Sequence, residues 1–325
     1  MKKYIIIPIM LLALGFVAVS CSNDDLDSTS IITVNGNTPR TPLDDWLDAN
    51  FLYPYNIQFC YRYEDNEVNM NYFNVPPKYE NVIKLAHIVK YTCVESYNEV
   101  AGVDFTRQYF PKMFLLTGTW EFLNNGTIIL GTAEGGKKIF LAGVNYLDDM
   151  LKGNDHSGTF YFDSGSDVQE GLNRYYLKTI HHEFTHILNQ TKHYSEEYQT
   201  ITGADYVNDS WSDFPYNGID ENTTGDSTYY YLQHGFISAY SQKEHREDFA
   251  EIMSEYVCNS PEQWESWMKQ AGPDGRALLE QKLAIVKDYM LTEWNIDLDK
   301  LRSTVLRRER DVVKGIVDLD DMTVK

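Results

Sequence analysis

Residues His182-Glu183-Phe184-Thr185-His186 set two imidazoles four positions apart, with a carboxylate beside the first. On a helix turning about 100° per residue, such positions lie about 40° apart, so both rings project from one face. Two neutral imidazoles at that spacing can chelate a zinc ion. Glu183 falls near the same face, where its carboxylate can act as general base toward an attacking water. Zinc brings the ionisation of water toward neutral pH, so hydrolysis needs no strong base. A solvated polar stripe could carry the same letters. Phe184, Ile187 and Leu188 lie among them, however, and predict a buried helix. Unpartnered His and Glu side chains would be costly there, which favours one zinc ion per chain. His181 precedes the motif and points elsewhere.

A catalytic zinc takes three protein ligands and keeps one position open. A metzincin would need a glycine at position 189 and a histidine at 192, where this chain has Asn189 and Lys192, and His193 is out of register. The third ligand is therefore sought in the acidic stretch Tyr240-Ser241-Gln242-Lys243-Glu244-His245-Arg246-Glu247-Asp248-Phe249-Ala250-Glu251. Glu247 and Glu251 are four apart and share a helix face, so if the first reaches the metal the second can orient a ligand histidine from behind. An exposed, charged helix face is the plainer reading of the same residues.

The Glu-x-Phe-Ala-Glu pattern, with a tyrosine seven residues before its first Glu, resembles the active site of the anthrax lethal factor group of gluzincins. That resemblance implies Glu247 as third zinc ligand and Tyr240 as the hydroxyl that stabilises the oxyanion. Asp248, His193 and Glu251 stand in reserve as ligands, in that order. The wider chain, over residues 45–300, is similar to the zinc metallohydrolase lipoproteins of Bacteroidetes associated with SusC/SusD-type nutrient import. The likeness rests on Pro54-Tyr55-Asn56-Ile57, Gly131-Thr132-Ala133-Glu134-Gly135-Gly136, the zinc motif with Ile187-Leu188-Asn189-Gln190, and Glu247-Asp248-Phe249-Ala250-Glu251. It implies a zincin-like fold and a possible partner in an import complex, but no substrate.

The elements that must position these residues are legible from periodicity. Helical spacing covers residues 79–100, 168–192, 246–259, 261–271, 276–294 and 298–313. His87, in the first of these, reads as a packing residue. Residues 55–63 alternate and are aromatic-rich, which predicts a strand. Apolar runs at 112–116, 127–130 and 138–144, punctuated by Asn124-Asn125-Gly126 and Glu134-Gly135-Gly136, predict a small, largely antiparallel sheet with a hairpin. The glycine-rich run 131–136 lacks the Gly-Lys-[Ser/Thr] ending of a phosphate loop. Residues 194–231 form a long polar, aromatic stretch of the kind that is usually functional. Together these predict an α+β, zincin-like fold: a small mixed sheet packed on the motif helix, with a helical C-terminal part.

The 325-residue chain is 43% hydrophobic and 14% aromatic, which excludes a disordered protein. Its net charge of −20 repels phosphate backbones, so no nucleic-acid partner is expected. Cys60, Cys93 and Cys258 are odd in number and widely spaced, and are expected as buried free thiols. Lys2 and Lys3 precede an apolar run over residues 4–19, the length of a signal peptide, which ends at Ala18-Val19-Ser20-Cys21. That ending resembles a bacterial lipobox and implies lipidation of Cys21. The acidic residues behind it resemble the surface-export signal of Bacteroidetes lipoproteins. The expected organisation is a signal peptide (1–20), a flexible tether (21–44), a zincin-like domain (45–300) and a C-terminal helix and tail (301–325), anchored in the outer membrane and facing outward. The expected function is hydrolysis of a peptide or protein substrate by a cell-surface zinc metallopeptidase. The alternative is a non-catalytic glycan- or peptide-binding accessory lipoprotein with a structural or vestigial zinc.

Overall fold

The computed structural model describes residues 39–62, 67, 69, 71–124, 126–134, 137–152, 168–221, 225 and 227–324. The leader and Cys21 lie outside them. The compact unit spans Thr41–Lys325. Its first helix, Pro42–Leu47, starts on a capping box: Thr41 accepts from the Asp44 amide while Asp44 accepts from the Thr41 amide. No helix among the described residues is long and apolar enough to cross a membrane.

Four strands make the main sheet: β1 (Gln58–Cys60), β2 (Met113–Leu116), β5 (Gly131–Glu134) and β6 (Lys138–Leu141), in the order β1-β2-β6-β5. β1 runs parallel to β2 and β2 parallel to β6, while β5 pairs antiparallel with β6. This corrects the largely antiparallel sheet expected from the sequence. The reason lies in the connections. Between β1 and β2 the chain passes through the helices Tyr79–Ile88, Glu95–Ala101 and Val103–Tyr109, and a helical crossover returns the chain parallel. Only the expected hairpin, β5–β6, is antiparallel within this sheet. The apolar run at 127–130 leaves it: β4 (Ile128–Ile129) pairs with β3 (Glu121–Phe122) as a separate ribbon.

The strand expected over 55–63 is shorter than its pattern. Tyr53–Tyr55 complete a helical turn, Asn56 sits in the left-handed region at φ 55°, and extended backbone begins only at Gln58. The helix expected over 79–100 widens to a π-helical stretch at Val89–Val94 and ends at Gly102, whose φ of 92° a side chain would resist. His87 packs as expected, stacked on Trp46 with its ring nitrogens at the carbonyls of Ile83 and Asp321. Cys93 and Cys258 are buried and Cys60 half-buried, and none of the three forms a disulfide among the described residues.

Two helices carry the site. The motif helix, Lys178–Thr191, follows a π-helical turn at Asn173–Leu177. Phe184 faces away from the site and locks the helix into an aromatic cluster, 4.9 Å from the Tyr97 ring and 5.0 Å from Phe110. The facing helix, His245–Cys258, packs along it. β5 lies against the other side of the motif helix, and Gly131 makes that approach possible. A Cβ there would meet the Phe140 carbonyl at 2.5 Å and the Thr179 methyl at 2.6 Å. Behind the facing helix lie Gly272–Trp294 and the last helix, Leu298–Val313, which brings the buried carboxyl of Glu309 to the side-chain amides of Gln169 and Asn173.

Candidate metal centre

Helical spacing brings the imidazoles of His182 and His186 together on the motif helix, with ring centroids 4.7 Å apart and ring planes nearly perpendicular. Glu247, in the first turn of the facing helix, closes the group. The His182 Nε2, His186 Nε2 and Glu247 Oε2 atoms form an equilateral triangle, each 3.1 Å from the other two. Tetrahedral zinc with bonds of about 2.0–2.1 Å sets its ligand atoms roughly 3.3–3.4 Å apart. A few tenths of an ångström of expansion would seat the ion, so the donor set fits zinc in both identity and spacing. Among the described residues this is the group of three ligand side chains able to hold a metal.

The electrostatics favour positive charge at the same point. Burial disfavours the charged form of His182, but Glu247 and Glu251 outweigh it and push its pKa up to about 10. Burial likewise opposes the Glu247 carboxylate, and the two imidazoles hold it well below the ordinary range. A bound cation replaces the proton these groups otherwise share. His181, next in sequence, is the opposite case. Burial alone holds it down at about 3, and its Nδ1 meets the Tyr97 hydroxyl at 3.0 Å in the core.

Behind His182 its Nδ1 lies 2.8 Å from Glu251 Oε1, off the ideal N–H direction. Glu251 is in turn held by Lys178 Nζ at 2.9 Å and the Ser238 hydroxyl at 2.6 Å. Lys178 also reaches Glu255 at 3.1 Å. Glu251 thus stands behind a ring nitrogen rather than beside the triangle. Asp248 turns into the core, where it meets Lys282 at 2.7 Å and accepts from the Tyr206 hydroxyl. His193 lines a cleft whose wall also holds His186 and Glu247, but it does not reach their ligand atoms. None of the three reserve candidates joins the triangle.

The triangle forms part of the wall of two clefts. One, of about 980 Å³, contains His182, Glu183 and Tyr240 and is bounded by Leu123, Ile129 and Trp211 and by the edge of β5. The other, of about 680 Å³, contains His186 and Glu247 and is lined by polar groups including Asn189, Gln190, His193 and Arg246. Tyr240 is fixed by rings on two sides, with Trp211 edge-on at 5.0 Å and His182 at 6.0 Å. Burial, then Glu247 and Glu251, push its phenol well above the usual range, so it keeps its proton. Lys243 Nζ lies 3.3 Å from the Tyr240 oxygen and 3.7 Å from Glu247 Oε1.

Lys178, Ser238, Lys243 and Trp211 were not singled out from the sequence. Two of them had a signal. Lys178 is four residues before His182, and Lys243 is three after Tyr240 and four before Glu247, all spacings that share a helix face. Ser238 and Trp211 had none, since folding alone brings them to the site.

Residues 36–299 match a protein family described as "Putative zinc-binding metallo-peptidase". A solved structure bearing the same description, from Bacteroides caccae, superposes with a TM-score of 0.67 at 33% sequence identity. The match covers 87% of this chain and 96% of that one. No curated protein matches the chain. The match spans most of the sequence, including both site helices, and the α+β architecture agrees with it: the chain belongs to this zinc-binding metallopeptidase family.

Proposed function

We propose that the protein is a zinc metallopeptidase that cuts a peptide laid across both clefts. The observation that carries this is the equilateral triangle of His182, His186 and Glu247 with Glu183 in the adjoining wall. Zinc, when bound, supplies Lewis acidity that polarises the scissile carbonyl and eases the ionisation of water. His182, His186 and Glu247 would hold it, with Glu251 orienting the His182 ring. Glu183 takes a proton from the water whose oxygen bonds to the carbonyl carbon, and delivers it to the amine as the C–N bond breaks. The Tyr240 hydroxyl donates to the oxyanion. β5, whose described pairing is with β6 alone, offers the cleft a strand edge to which an extended chain can add. A purely structural zinc would be closed by protein ligands and would need neither a general base nor an open cleft.

Location and partners belong to the same proposal. Cys21 and the acidic residues behind it support a lipid-anchored protein on the outer face of the outer membrane, beside a SusC/SusD-type importer whose peptide cargo it would trim. Replacing Cys21 by Ala should then remove fatty-acid labelling and release the protein from membranes.

The test of catalysis is turnover of a broad peptide library. Cleavage should vanish on dialysis against a chelator, return with about one equivalent of zinc, and be absent from His186→Ala, which lacks a ligand. Cleavage that survives chelation would overturn the proposal.

A further inference from the structure

Lys243 sits where the chemistry is most sensitive to the placement of one proton. The short 3-10 turn Tyr240–Gln242 carries its backbone, with the Lys243 amide donating to the Tyr240 carbonyl at 3.0 Å. The Lys243 carbonyl accepts from the Asn208 amide at 3.1 Å, which ties it to the loop bearing Trp211. Lys243 therefore lines the larger cleft from a fixed base, in a wall shared with Glu183 and His182.

Glu247 divides its carboxylate. Oε2 faces the two imidazoles, while Oε1 faces Lys243. The same ammonium lies 3.3 Å from the Tyr240 oxygen, so Glu247 and the phenol meet at one cation. A phenol has a single proton, and beside an unshared carboxylate oxygen that proton is drawn to the carboxylate. An ammonium has three protons and no acceptor. Lys243 can therefore donate to the Tyr240 oxygen while its charge pairs with Glu247 Oε1. Both contacts act in one direction: the ion pair occupies the competing acceptor, and the donation polarises the phenol O–H.

We propose that Lys243 is a positioning residue for hydrolysis, occupying the free oxygen of Glu247 and the oxygen of Tyr240 so that the phenol proton is left for the reacting carbonyl. The assignment rests on the peptidase reading above and adds to it a residue that acts through Tyr240. Lys243 would then matter little for zinc or for an intact peptide, and would matter for a tetrahedral anion.

The experiment compares wild type with Lys243→Met, Lys243→Arg, Tyr240→Phe and the Tyr240→Phe/Lys243→Met double variant, all zinc-loaded. Zinc content is measured by elemental analysis, and affinity for a phosphinic peptide, a stable tetrahedral anion, by calorimetry. Affinity for the amide of the same sequence is measured with Glu183→Gln added to each, so that it stays uncleaved. Lys243→Met should weaken the phosphinic peptide about tenfold and leave zinc content and amide affinity within about twofold. Lys243→Arg should restore most of the loss. In the Tyr240→Phe background the same substitution should change phosphinic affinity by less than about twofold, because the hydroxyl it serves is gone. Equal loss in both backgrounds, no loss at all, or loss of zinc would overturn the assignment and leave the peptidase reading intact. A wild type that binds the phosphinic peptide no more tightly than the amide would overturn the peptidase reading, and the assignment with it.

Discussion

Glu247 and Asp248 are neighbours in sequence on one helix, and they face opposite ways. Asp248 points into the core and meets Lys282, itself fully buried, at 2.7 Å, with the Tyr206 hydroxyl donating as well. Lys282 also donates to the Gly235 carbonyl and lies 4.0 Å from the centre of the Phe236 ring. Burial pushes Asp248 up and Lys282 down, and each partly restores the other. This cluster closes its charge within the protein and ties the loop that leads to Tyr240 onto the facing helix. Glu247 points into the cleft, where its Oε2 faces two imidazoles and its Oε1 faces the Lys243 ammonium. Its cluster has the donor set to hold a cation from outside. Glu309 shows a third solution: it is buried against the side-chain amides of Gln169 and Asn173, its pKa is pushed up to about 8, and it keeps its proton. An acid that gathers metal-binding nitrogens at a cleft wall, instead of being closed off in the core, is thus the one to suspect of function.

The sharpest test of the contrast separates chemistry from metal within the open cluster. Glu183→Gln should lower turnover by roughly ten-thousandfold and retain zinc, because this carboxylate moves a proton and is not a ligand. Zinc content beside single-turnover rates decides it, and loss of zinc would move Glu183 into the ligand set.

The closed cluster should fail in another way. Lys282→Met strands the Asp248 carboxylate in the core and should cost about 3–5 kcal/mol of stability in urea unfolding, whereas adding Asp248→Asn should return part of that. If Lys282→Met proved as stable as wild type, the pair would not be the structural counterpart of the metal cluster.

The most gradual effect, at any one pH unit the smallest, belongs to Glu309. Its folded-state pKa lies above its ordinary value of 4.5, so the stability it contributes is full below that pH and falls as the pH rises toward about 8. Across that window the slope should be roughly 1 kcal/mol per pH unit. Glu309→Gln keeps the shape of the protonated group and should flatten the slope, as read from unfolding free energies at both ends of the window.

Much of the site was legible because its spacing is local. The paired imidazoles, Glu183 and the shared face of Glu247 and Glu251 follow from helical period, and the aromatic and aliphatic residues among them announce burial. What periodicity could not carry was direction and pairing. Glu247 and Asp248 are equally acidic letters, and only Lys282, far along the chain, turns one of them inward. The same holds for the sheet: β2 lies between β1 and β6, and its parallel partners are set by crossovers that strand patterning does not record. Trp211 and Ser238 reach the site through folding of the long polar stretch and the turn before Tyr240, where no repeat marks them.

Gly131 carries one further consequence. The hydrogen it holds in place of a side chain is all that separates the β5 backbone from both the Phe140 carbonyl and the Thr179 methyl. Thr179 belongs to the helix that bears both histidines, and Phe140 to the strand that pairs with β5. The gap between the strand edge and the motif helix therefore has a hard stop, like a feeler gauge of zero thickness. Adding even a methyl group at this position would force the strand up or the helix down, and the clearance over the two imidazoles would change with it.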